Sequence, residues 1–199
     1  MKYLFLLTFL VFSFQGFSQI LPSSHGVHHK KSSGGSGSCS SSESLMALPN
    51  QSGTYSSKVR GYYFTAPTDF CITAVKVPTT ANSGCQSVAI VKFNSGPPPV
   101  YDNTTNDFSQ LHYTSCLAST DKITVDISVS QGDVIGIYGC RGISCVNSYS
   151  SGSYSTSIAG NAVTLYRSGM QYDLASNQMK EVWAEGGTSI SRVEMYYKN

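Results

Sequence analysis

The chain has 199 residues, 40% hydrophobic and only 12% charged, with 13 Lys and Arg against 11 Asp and Glu. That balance gives no general electrostatic drive toward nucleic acid or anionic lipid; with Lys2 set aside as part of a leader, 12 basic residues face 11 acidic, a net +1. Six cysteines point to an oxidising compartment, and 13 tyrosines among abundant Ser and Gly point to a hydroxyl-rich extracellular surface.

Residues 1–18 have the anatomy of a cleaved signal peptide: basic Lys2, the apolar run Tyr3 to Phe14, then the small-residue exit Gly16-Phe17-Ser18. The run is shorter than the roughly 20 residues a membrane-spanning helix needs, so it is expected to be removed and the mature chain to carry no transmembrane segment. Residues 19–44 read as a flexible arm rich in Ser and Gly, with too few apolar side chains to offset the entropy of ordering. Its His25, His28 and His29 lack the rigid frame a metal site requires, and a solvated tether is the expected state. Residues 45–199 suffice for one domain with a sizeable core.

That body reads as strands. In chain order the candidates are Gly61 to Thr65, Cys71 to Val77, Ser87 to Phe93, Ile123 to Val129, Val134 to Tyr138, Ala162 to Arg167, Glu181 to Ala184 and Arg192 to Tyr197. The clearest is Ile123-Thr124-Val125-Asp126-Ile127-Ser128-Val129, where apolar and polar residues alternate with period two. Breakers separate the runs at Asn82-Ser83-Gly84, Gly96-Pro97-Pro98-Pro99, Gln131-Gly132-Asp133, Gly152 and Gly186-Gly187. Asp173 to Met179 has room for one or two helical turns. Many short strands without alternating helices imply an all-β, two-sheet antiparallel sandwich, because each sheet must hide its apolar face. The immunoglobulin type is disfavoured, since Trp183 follows all six cysteines and does not lie between two of them; a jelly-roll-like arrangement is expected.

The phrase Gly61-Tyr62-Tyr63-Phe64-Thr65-Ala66-Pro67, followed by Phe70-Cys71-Ile72-Thr73-Ala74-Val75 and Val88-Ala89-Ile90-Val91, resembles the opening of bacterial extracellular jelly-roll modules of surface and anchor proteins. In those, a G-x-x-F-T-A strand precedes strands reading I-T-x-L and V-x-I, and the stretch Ile123 to Tyr138 is similar to their second sheet. The resemblance implies the sandwich and a secreted, non-catalytic role; it transfers no site residue.

Cys140 and Cys145 bracket a four-residue loop, which favours a local disulfide and a rigid knob. Of the three pairings open to the other four, spacing prefers Cys85 with Cys116 and Cys39 with Cys71. Cys39 is also the residue through which two chains would join as a disulfide-linked homodimer. A zinc site is disfavoured because no second cysteine pair matches Cys140 and Cys145.

Candidates for chemistry are sparse. His112 is the body's histidine, but no serine sits in a Gly-x-Ser-x-Gly elbow. Glu181 and Glu185 would share a strand face roughly 13 Å apart, wider than the about 5 to 9.5 Å that glycoside hydrolysis requires. Asp102, Asn106 and Asp107 form an oxygen-rich loop with calcium-compatible donors, although it departs from the EF-hand pattern. Asn50 and Asn103 lie in Asn-x-Ser/Thr sequons. Aromatic side chains carry the best binding expectation, because flat rings stack on sugar faces. One of Tyr62 and Tyr63 must point outward, as must one of Tyr196 and Tyr197; Trp183 and the loop Ser148 to Ser157, with Tyr149 and Tyr154, complete the set. The expectation is a secreted, disulfide-stabilised adhesion or carbohydrate-binding module that needs no cofactor and meets an extracellular glycan or surface protein. A matrix or filament subunit and a polysaccharide hydrolase are the alternatives.

Overall fold

A computed structural model describes residues 39–150, 154–185 and 189–199, all within the compact unit Gly35–Asn199. The expected leader and the histidine cluster lie outside the described residues. Among the described residues thirteen strands appear: β1 (Ser44–Leu45), β2 (Gln51–Tyr55), β3 (Arg60–Thr65), β4 (Phe70–Lys76), β5 (Gln86–Phe93), β6 (Phe108–Leu117), β7 (Ile123–Val129), β8 (Val134–Arg141), β9 (Asn147–Ser150), β10 (Tyr154–Ile158), β11 (Asn161–Gly169), β12 (Trp183–Ala184) and β13 (Glu194–Lys198). One sheet has the order β1-β13-β4-β7 and the other β10-β11-β3-β8-β5-β6, with β12 added against β11 and a small β2-β9 pair beside them. All of these strand pairings are antiparallel, and the chain passes repeatedly from one sheet to the other, as in a jelly-roll sandwich.

The alternation in the sequence sets the layers. Ile123 and Val129 of β7 are buried while Thr124, Asp126 and Ser128 face solvent. The main core gathers Tyr62 and Phe64 of β3, Ile72 of β4, Ile90 of β5 and Met195 of β13 between the sheets. Neighbouring positions on β5 and β8 point the other way, and Ala89, Val91 and Tyr138 join a second core with Met170, Leu174, Met179, Val182 and Trp183. The outer face of the large sheet is thus covered by the chain between β11 and β12. A second strap holds that cover: Thr105 pairs with Val182, and the Ala184 N–H donates to the Pro99 carbonyl at 2.7 Å.

Three disulfides brace the body, Cys39–Cys71, Cys85–Cys116 and Cys140–Cys145, the pairings that spacing preferred. Cys39 is therefore joined within its own chain, and a homodimer bridged through it is corrected. The arm ends sooner than residue 44: the Asn199 N–H donates to Ser41 Oγ at 2.9 Å, and Thr73 Oγ1 donates to the Glu43 carboxylate at 2.8 Å. Asp173 to Met179 forms a turn rather than a helix, with the Ser176 N–H on the Asp173 carboxylate at 2.7 Å. The segment from Ser148 is not a free loop, since β9 and β10 occupy its described residues.

Candidate functional site

The outward-facing aromatic side chains converge where β3, β11 and β12 meet. β12 pairs Trp183 with Gly169 of β11, and Gly169 in turn pairs with Arg60 at the start of β3. The Arg60 guanidinium lies 5.2 Å from the Trp183 ring and 5.5 Å from the Tyr55 ring. Tyr55 stacks on Tyr149 of β9 at 5.9 Å, and Arg167 lies over Tyr149 at 4.8 Å while donating to its hydroxyl at 3.0 Å. Burial raises the Tyr149 phenol, and the Arg167 cation pulls it partly back. Glu185 closes the chain by pairing one carboxylate oxygen with Arg60 at 2.7 Å and the other with Arg167. The result is a continuous ridge of rings and fixed charges.

At its end is an open groove of about 440 Å³ lined by Val100, Tyr101, Gln171, Trp183 and Glu185. Tyr101 is 55% exposed and Val100 62%, so the strap lifts two apolar side chains into solvent with no core to cover them. The Tyr101 ring sits 5.4 Å from that of Trp183, tilted by 57°. Trp183 is buried, and its buried indole N–H meets no acceptor among the described residues. An aromatic wall, an apolar lip, an amide and a carboxylate thus share one cleft. No family model, curated protein or solved structure matches this chain. The chemistry of the ridge therefore rests on its own residues.

The other sequence candidates are dispersed. Tyr62 is fully buried, with its hydroxyl on the Val193 carbonyl at 2.8 Å, so it belongs to the core and is corrected as a ligand contact. Its neighbour Tyr63 faces outward and stacks on the half-exposed Tyr166 at 5.3 Å, a second aromatic patch. Tyr154 packs against the main core. Tyr197 is buried and accepts the Ala159 N–H at 3.0 Å, whereas Tyr196 is partly exposed, its hydroxyl pushed up to about 12 by burial and by its bond to Glu194.

Asp107 is engaged by Ser95 and Asn94, which hold its carboxyl below the usual range, and the Asn106 amide oxygen accepts the Glu181 N–H at 2.7 Å. Asp102 lies exposed nearby. Two of the three expected calcium donors are thus spent on the protein's own hydrogen bonds. His112 bonds Thr114 Oγ1 at 2.9 Å, so its ring is committed to a threonine on its own strand. Glu181 accepts from Tyr172 at 2.9 Å, while both Glu185 oxygens are held by arginines, leaving the two acids in separate networks.

Sequence reasoning missed Tyr101, Tyr55, Arg60 and Arg167. Tyr101 had a readable signal: an apolar pair, Val100-Tyr101, directly after Pro97-Pro98-Pro99 stands where no regular strand can bury it. The arginines had none, because their role depends on a strand pairing between residues more than 100 positions apart.

Proposed function

We propose that this protein is a secreted, non-catalytic sandwich module that binds a carbohydrate in the Tyr101–Trp183 groove. The observation that carries this reading is the half-exposed Tyr101 ring set against Trp183 beside an open groove. A sugar offers what the groove lacks, an apolar ring face for Tyr101 and hydroxyls for the Gln171 amide. Glu185 is pre-oriented by two arginines and accepts from sugar hydroxyls without rearrangement. Three disulfides in a chain with a leader-like start suit export to an oxidising space.

Glycan-array screening of the body, followed by titration of the best-retained glycan, tests this reading. Tyr101→Ala is expected to weaken binding by about tenfold or more, about 1.4 kcal/mol, with an unchanged melting temperature because the ring is largely outside the core. Retention of no glycan, or equal affinity in the variant, overturns it.

A further inference from the structure

An open sandwich leaves edge strands whose outer N–H and C=O groups are unpaired, and folded proteins blunt such edges with bulges, charges or brevity. Among the described residues the two main sheets end in β1, β7, β6 and β10. The first three are blunted. β1 has two residues, β7 shifts register against β4 and carries Asp126 at its centre, and β6 shifts twice against β5. β10 has none of these devices. Its five residues, Tyr154-Ser155-Thr156-Ser157-Ile158, keep one unbroken register against β11 and include no charge and no proline. Among the described residues β10 pairs with no other strand.

The hairpin fixes which backbone groups face outward. Ala159 and Gly160, both at positive φ (50° and 79°), make its two-residue turn, so Ile158 and Asn161 form a hydrogen-bonded pair. Bonded and non-bonded pairs alternate along an antiparallel ladder. The backbone groups of Tyr154, Thr156 and Ile158 are therefore spent on β11, and those of Ser155 and Ser157 point away from it. Both serine side chains are exposed, while Ile158 is buried and Tyr154 and Thr156 are partly so on the opposite, core-facing side. A second copy, antiparallel about a two-fold axis at Thr156, sets Ser155 against the partner's Ser157, Thr156 against its own copy and Tyr154 against the partner's Ile158. The outward N–H and C=O groups of the serines then bond each other, a ring meets an aliphatic side chain on the core side, and no charge opposes a like charge. The strand is its own complement. We propose that β10 is a self-association edge through which two copies of this chain join their large sheets into one continuous sheet. The contact needs no cysteine and uses none of the residues that line the Tyr101–Trp183 groove.

Sedimentation and residue-resolved amide hydrogen exchange, measured on the intact disulfide-bonded protein across a concentration series, test the proposal. So small a contact is expected to give a dissociation constant of about 0.1–1 mM. The Ser155 and Ser157 amides should gain protection as concentration rises, whereas those of Tyr154, Thr156 and Ile158, already bonded to β11, stay protected throughout. Two double variants on the exposed face read the register. Ser155→Lys/Ser157→Lys sets like charges across both serine pairs and is expected to loosen the dimer about fivefold, while Ser155→Lys/Ser157→Glu sets opposite charges across them and tightens it by a similar factor. Both should keep the parent melting temperature, since neither serine is in the core. A monomer at 1 mM, protection that appears on β6 or β7 in place of β10, or equal dimerisation of the two variants would each overturn the proposal.

Discussion

Gly61 sits at the tightest point of the fold. A Cβ there would lie 2.0 Å from the Ile137 carbonyl oxygen and 2.8 Å from the Tyr138 ring, and that ring also covers Gly136. Tyr138 fills the space two glycines leave, its hydroxyl bonded to Ser168 at 2.8 Å, and Ser168 Oγ donates on to the Trp183 carbonyl at 2.6 Å. Glycine at position 61 thus lets the sheet build the network that holds Trp183 beside the groove. Gly61→Ala forces backbone against backbone and is expected to cost about 3 kcal/mol, the upper end of ordinary overpacking, or roughly 6–12 °C in melting temperature for a domain of this size. Gly53→Ala, where nothing lies within 4 Å of the added carbon, is the matched control and should stay within about 0.5 kcal/mol. Equal melting temperatures for the two variants would contradict this account. At this scale alternation was legible: period two puts one of Tyr62 and Tyr63 inside and the other outside, and the structure buries Tyr62. The burial of Trp183 was not, because it depends on a strap whose partner, Thr105, is far away in sequence.

Strands exposed on one face announce themselves, and β7 is the example, with Thr124, Asp126 and Ser128 outside. β9 gives no such signal, because it buries polar residues. Asn147, Ser148 and Ser150 are fully buried, and the Asn147 amide alone accepts the Arg60 N–H at 2.7 Å and donates to the carbonyls of Tyr55, Lys58 and Cys145. Hydrophobic periodicity cannot register a strand satisfied by hydrogen bonds. β6 escaped for another reason: its register against β5 shifts twice, so no single period runs through it, and the same irregularity blunts an edge strand against pairing with another chain. Cysteine spacing was the more reliable guide to how elements are joined. Cys39–Cys71 closes a separation of 32 residues and Cys140–Cys145 one of 5. In the chain-entropy picture these correspond to about 3.7 and about 2 kcal/mol. Cys39→Ser/Cys71→Ser should therefore lower the unfolding free energy in urea by about 3.7 kcal/mol while leaving groove binding intact, since that bridge joins the other sheet. A loss under about 1 kcal/mol would mean that β1 and its neighbours hold the N-terminal segment without the bridge.

For the whole molecule, stability is carried by two apolar cores and three cross-links, with four ion pairs among the described residues, so electrostatics enters through a few sites. On the acid side, three groups share one sign. His112 is half-buried and burial lowers its basicity from 6.5, so the unfolded chain takes up a proton before the folded one does. Its contribution is complete above pH 6.5 and is lost as pH falls through the depressed folded value. Glu43 is lowered from 4.5 by hydrogen bonds from Lys122 and Thr73, and Asp107 from 3.8 by those from Ser95 and Asn94. Their contributions are present above those ordinary values and fade below them, again because protonation favours the unfolded chain. The urea midpoint is therefore expected to hold from pH 8 to 7, to fall modestly once the pH drops below 6.5, and to fall again below 4.5. The two steps have separate origins. His112→Gln removes the first and spares the second. Glu43→Gln weakens the second, because that carboxylate ties the segment beside the Cys39–Cys71 bridge to Thr73 of β4 and to Lys122. A midpoint that rises on acidification from pH 8 to 5, or an upper step that survives in His112→Gln, would assign the acid sensitivity to groups other than these.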